Sequence, residues 1–262
     1  MTRSSYAWRV CGILCAAALT AAGLFSFPPM AQDPAYHDFA DKRTLLGIPN
    51  FGDVVSNLPF LAVGLMGLRF LKTNWNGGAL FVEGPEKRLW LALFGSVALV
   101  SVGSGYYHLE PDNARLAWDR ITIVMAFMSL FSIVAGERIH GKAGLYLLPP
   151  LLCAGITSVV YWSYTELRGL GDLRPYALAQ FLPMLAIPMM CLLFPPRYTG
   201  TRYLVLALVW YALAKVFEHF DKGLFEMLRG IVSGHTLKHL AAGFGAYALL
   251  RYLQKRRTWF HS

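Results

Sequence analysis

Apolar runs of roughly 17 to 25 residues, each long enough to cross a hydrocarbon core of about 30 Å, recur along nearly the whole chain with short polar turns between them. They fall at approximately residues 8–26, 54–71, 89–107, 119–136, 144–162, 177–194, 203–219 and 235–253. A barrel would show segments of about ten residues with alternating polarity, whereas these runs are continuous and rich in Leu, Ala, Gly and Met. The expectation is an all-α, polytopic transmembrane bundle. Composition agrees: with 56% hydrophobic and 15% charged residues, a chain of 262 residues is too apolar for an ordinary soluble domain.

The first run divides the chain into residues 1–30 and a seven-helix domain over 31–262. Arg3 and Arg9, the apolar stretch and then Phe27-Pro28-Pro29-Met30-Ala31 could form a secretory signal. A retained helix is the preferred reading, because the run is long for a signal and Pro29 sits poorly in a small-residue cleavage site. With the amino terminus assigned to the cytoplasm, that side collects Arg3, Arg9, Arg69, Lys72, Lys87, Arg88, Arg138, Lys142, Arg197, Arg202, Arg251, Lys255, Arg256 and Arg257, 14 of the 24 basic residues. The positive-inside bias therefore favours cytoplasmic termini. Only Glu83, Glu86 and Glu137 join them, and the other 12 of 15 acidic residues lie towards the opposite face, where a polar site would need them. A net charge of +9 does not signal nucleic acid, since no basic patch is interleaved with aromatics. Cys11, Cys15, Cys153 and Cys191 sit inside apolar runs and read as small hydrophobes. Pro183 and Pro188 are expected to kink their helix, and residues 72–88, with Asn74, Asn76, Gly77 and Gly78, read as a cytoplasmic connection.

His235-Thr-Leu-Lys-His239 places two imidazoles on one helix face, close enough to ligate one ion. Alone the pair is a weak signal, but within an apolar span unpaired rings are costly and face the bundle interior. Ser104-Gly-Tyr-Tyr-His108 ends the third run on the same side of the membrane, so three histidines can converge at one depth. Three nitrogens with one open position is the ligand set of a catalytic zinc. Asp119 begins the fourth run in the same layer. It is either a proton-transfer carboxylate or a helix cap paired with Arg120. Ser104 could donate to an oxyanion or bond back to its own helix. His37, His140 and His261 read as ordinary solvated residues, and His219, Glu218, Asp221 and Lys215 as a polar mouth of the bundle rather than support for metal ligands.

Ser104 to His108, Asp119 eleven residues on, and His235 with His239 together resemble the signature of the alkaline ceramidase family, within a wider superfamily of seven-helix membrane hydrolases that includes the adiponectin receptors. Ile48-Pro-Asn-Phe-Gly-Asp53-Val-Val-Ser56-Asn57-Leu58 resembles that family's lead into its first core helix, and the similarity spans roughly residues 41–253. The resemblance implies a zinc held by His108, His235 and His239, with Ser104 and Asp119 beside the bound water and hydrolysis of the amide bond of ceramide. Eukaryotic members bind calcium through an acidic amino-terminal cluster containing Trp and Glu. Here the stretch offers His37, Phe39, Asp41 and Asn50, two oxygen ligands short. That departure counts against calcium and makes the pattern similar to bacterial relatives, whose lipids need not be ceramides. The expected partner is a membrane lipid, ceramide or another N-acyl lipid; no protein partner is inferred. A receptor-like lipid binder with structural zinc, or an ion or proton transporter, are the alternatives. Transport fits less well, because charges gather near one face instead of running through the midplane.

Overall fold

The computed structural model describes residues 3–75 and 80–259. Asn76, Gly77 and Gly78 of the expected cytoplasmic connection, and His261 of the tail, lie outside the described residues. Within them the regular structure is helical: α1 (Arg3–Phe25), a 3-10 turn (Pro34–His37), α2 (Phe51–Val55), α3 (Leu58–Thr73), α4 (Glu86–Leu109), α5 (Asn113–Arg138), α6 (Gly141–Leu167), α7 (Arg174–Leu193), α8 (Thr201–His219), α9 (Asp221–Met227) and α10 (Gly234–Lys255). The fold is an all-α bundle. With α2 and α3 counted together as Phe51–Thr73, six helical stretches among the described residues are long and apolar enough to cross a membrane, or seven when α8 and α9, bent by 78°, are also taken as one span. Leu167, Leu192, Leu19 and Val102 stand exposed on the outer surface, which suits hydrocarbon and not water.

The eighth expected span, α10, is not among those apolar helices. It carries His235, Thr236, Lys238 and His239, and it hides this polarity by packing against α8 and α3, with both histidines and Thr236 buried. The bundle is built around α4 and α5, which pack on one another, α4 also against α3 and α5 also against α6 and α7. Gly103 permits the closest part of the α4–α5 contact: a Cβ there would lie 2.8 Å from the Trp118 carbonyl and 2.9 Å from Thr122 Oγ1. This close approach sets Ser104, one residue on, against the second turn of α5. By contrast α1 packs chiefly on α7, with Tyr6 edge-on to Phe194 at 5.7 Å and Arg9 donating to the Leu193 carbonyl. The helix α7 continues through Pro183 and Pro188, as α6 does through Pro149 and Pro150.

Two departures from the expected spans matter for the site. The run expected as one helix over 54–71 is interrupted at Ser56-Asn57, between α2 and α3. Ser56 Oγ donates to the Asp53 carbonyl at 3.2 Å and Asn57 Nδ2 donates to the same carbonyl at 2.7 Å. Pro59, at the start of α3, supplies no amide to continue the ladder. Secondly, α5 begins at Asn113, six residues before Asp119, with Asp112 as its cap accepting from the Arg115 amide at 2.7 Å.

Candidate metal centre

His108, the penultimate residue of α4, meets His235 and His239 of α10's first two turns, and all three are buried. His108 Nε2 lies 3.2 Å from His235 Nε2, and one ligand nitrogen from each ring falls within 4.8 Å of the others. It is the one such group of three or more metal-ligating side chains among the described residues. A tetrahedral zinc with bonds of about 2.0–2.1 Å needs its nitrogens about 3.3–3.4 Å apart, so the separation of the two Nε2 atoms fits. Two lone pairs facing each other at that distance repel unless a proton or a cation lies between them. The three-histidine group could therefore hold a metal ion.

The surroundings fix the rings for that task. Ser56 Oγ lies 2.8 Å from His239 Nδ1 and 3.2 Å from the Asp53 carbonyl, to which it donates. A hydroxyl that donates to that carbonyl can accept from Nδ1–H, and Nε2 would then be bare for an ion, the usual way in which an outer hydrogen bond orients a metal ligand. Asp53, fully buried, receives Ser233 Oγ at 3.0 Å and Thr236 Oγ1 at 2.8 Å on Oδ1. Ser233 also caps α10 by accepting the Thr236 amide at 2.9 Å. Asp221 accepts the His235 amide at 2.8 Å and the Ala40 amide at 2.9 Å, joining the helix to the outer segment. That segment, residues 27–50, folds over the centre. Phe39 lies 4.3 Å from the His235 ring and 4.8 Å from His108, and Asn50 donates to the His108 carbonyl at 2.8 Å. Below it, Gly52 is required by space, since a Cβ would sit 2.8 Å from both Asp41 Oδ2 and Thr236 Oγ1. Asp41 grips Arg43 at 2.7 Å, and this guanidinium holds the Asp41 carboxyl below the usual carboxylate range.

Asp119 is no helix cap. It lies in the second turn of α5, 5% exposed, with Ser104 beside its carboxylate and its Oδ1 without a partner among the described residues. Nor is it the hydrogen-bond partner of Arg120, which donates to Gln32 Oε1 at 2.6 Å. Ser104, Asp119, Lys238 and His239 line one end of a cavity of about 540 Å³ whose remaining wall includes Leu93, Phe127, Met184 and Leu208. A second cavity, of about 350 Å³, reaches His235 past Phe39, Glu218 and Asp221. The centre therefore stands between an apolar chamber and a polar one.

Two expectations change. His37 is not an ordinary solvated residue. Its ring bridges Tyr107 at 2.8 Å and Asn113 Oδ1 at 2.9 Å, because the outer segment folds back on α4 and α5. The residues assigned to a polar mouth divide: His219 is exposed, whereas Asp221 holds the His235 backbone and Glu218 bonds Lys238 at 2.9 Å as well as Lys215. Lys238, whose Nζ is 3.4 Å from His235 Nε2, was missed, as were Ser56 and Asp53 in their supporting roles. The signal was present in each case: Lys238 follows His235 by three residues and shares its face, and Asp53-Val-Val-Ser56-Asn57 is a polar knot leading an apolar run. A scan against protein-family models and a search of curated proteins each find no match for the chain.

Proposed function

We propose that this is an integral membrane zinc hydrolase of the ceramidase type, cleaving the amide bond of ceramide or a related N-acyl lipid. The observation that carries this reading is that Ser104, Asp119 and His239 line the same chamber, whose wall is otherwise mostly apolar. Its volume falls within the range of about 300–1,000 Å³ usual for small-molecule sites. His108, His235 and His239 would hold the ion, whose chemistry when bound is Lewis acidity towards a carbonyl oxygen and towards water. Asp119, with one carboxylate oxygen free, takes a proton from the attacking water and returns it to the leaving nitrogen. Ser104, beside that carboxylate, would orient it. The apolar wall holds the acyl chain and keeps bulk water from the amide, while the polar chamber at His235 gives water its approach.

The positive-inside count further supports an orientation with both termini cytoplasmic, α1 retained, and the centre towards the extracytoplasmic face of a bacterial inner membrane. The test is to purify the full chain in detergent, measure bound metal and incubate it with a panel of N-acyl lipids. About one zinc per chain with release of fatty acid is expected. Metal retained after His235 and His239 are both replaced by Ala sinks the site; metal without hydrolysis of any N-acyl lipid turns the reading to a lipid-binding receptor.

A further inference from the structure

The larger cavity carries a cation for which amide hydrolysis as such has no use. Arg120, 5% exposed, follows Asp119 on α5 and lines the same chamber. Its guanidinium carbon stands over Trp162 at 4.2 Å, Tyr176 at 4.6 Å and Tyr36 at 5.7 Å. Nη2 donates to Gln32 Oε1 at 2.6 Å, and Gln32 is itself fixed through its amide to Glu166 at 2.9 Å. Nη1 is buried without a hydrogen-bond partner among the described residues.

A buried guanidinium is costly unless an anion answers it. Among the described residues none of the acidic groups around the chamber pairs with it: Glu218 is shared by Lys215 and Lys238, Asp33 accepts the Ala35 amide at 2.8 Å, and Asp119, whose charge Arg120 feels, makes no ion pair with it. Among the described residues no ion pair includes Arg120, and Glu218 has two cations to its one charge. The polar end of the chamber thus carries a caged positive charge with an unused donor. Its place in the chain is one residue from the carboxylate assigned to proton transfer.

We infer that the lipid cut here is acidic, an N-acyl amino acid whose head-group carboxylate is received by Arg120 Nη1. This rests on the hydrolase reading and names its substrate class. The step balances: water adds its oxygen to the acyl carbon, the C–N bond breaks, and both water protons finish on nitrogen. An N-acyl amino acid anion and water thus give a fatty acid anion and a zwitterionic amino acid. Arg120 is a specificity residue in this scheme, because it holds the substrate at a group that does not react.

The test uses the full chain in detergent with N-palmitoylglycine, its uncharged methyl amide, and palmitate. Measured on wild type, kcat/KM for the acid should exceed that for the methyl amide about 10- to 100-fold, the worth of one charge-assisted hydrogen bond. In Arg120→Gln that ratio should collapse towards one, and in Arg120→Lys it should fall to an intermediate value. Ligand-induced melting shifts supply a readout independent of turnover. N-palmitoylglycine should raise the wild-type melting temperature more than the methyl amide does, and Arg120→Gln should remove the difference. Equal cleavage of acid and amide by wild type overturns the inference while leaving the hydrolase reading intact. A ratio unchanged in a folded Arg120→Gln chain overturns it too. If palmitate alone depends on Arg120 for binding, the anion received is the product's and the substrate assignment falls. No cleavage of either amide sinks the hydrolase reading, and the melting shifts then decide whether Arg120 binds the acid.

Discussion

The two ends of the bundle treat buried charge in opposite ways. At the end holding the α4 amino terminus and the α10 carboxyl terminus, Arg256 is buried against Glu137, lies 3.8 Å from Glu86 and stacks over Tyr198 at 4.0 Å. Tyr252 donates to Glu137 at 2.6 Å, and Arg197 meets Glu83 at 3.1 Å and Glu86 at 3.4 Å. Each of these carboxylates is answered by a cation or a phenol. At the other end Asp119 Oδ1 and Arg120 Nη1, beside the chamber, and His108 Nδ1 are buried without partners among the described residues. Arg256 Nε also lacks a hydrogen-bond partner among the described residues, but its guanidinium is answered by carboxylates; charge met by opposite charge holds helices together, whereas charge without one beside space awaits a ligand.

That contrast breaks if substitutions at the two ends have the same consequence. The largest effect is expected for His235→Ala combined with His239→Ala: bound metal should disappear and turnover with it, measured by elemental analysis and fatty acid release. Next, Asp119→Ala should lower kcat by about 10²- to 10⁴-fold while metal content and melting temperature hold; loss of metal in that variant would make Asp119 a ligand instead. At the saturated end, Arg256→Met should cost about 3–5 kcal/mol, the usual result of stranding one partner of a buried pair. It should appear as a lower denaturation midpoint with metal still bound, and a metal-free but thermally unchanged protein would erase the distinction. Ser56→Ala, which removes the acceptor at His239 Nδ1, should weaken metal affinity by about 10- to 100-fold, read by chelator competition. The smallest effect concerns pH. Arg43 depresses the Asp41 carboxyl in the folded chain, so this clip contributes stability above the unfolded carboxylate's value of about 3.9. That stability is lost as pH falls through the lower folded value. An acid melting curve of Asp41→Asn that matches wild type would remove the clip from the account.

Much of this was legible because lipid leaves few choices. A run such as 89–107 has to be helical, and the paired histidines of a polar helix in an apolar chain have to face inward. The boundaries were less legible, since apolarity marks only the middle of a span: α5 starts six residues before Asp119, and Asp112, not Asp119, caps it. Lys238 and Ser56 went unassigned because their roles depend on partners far along the chain, at Glu218 and His239.

By itself the sequence determined that the chain is a helical bundle for an apolar environment and that His108, His235 and His239 can reach one another. Both follow from local rules, apolar length and helical periodicity. Only the tertiary structure decided that Ser56 sits against His239 Nδ1, and that Asp119 Oδ1 and Arg120 Nη1, on one chamber, lack hydrogen-bond partners among the described residues. The reason is physical: whether a buried polar atom is satisfied depends on distances across helices, and no spacing along one helix contains them.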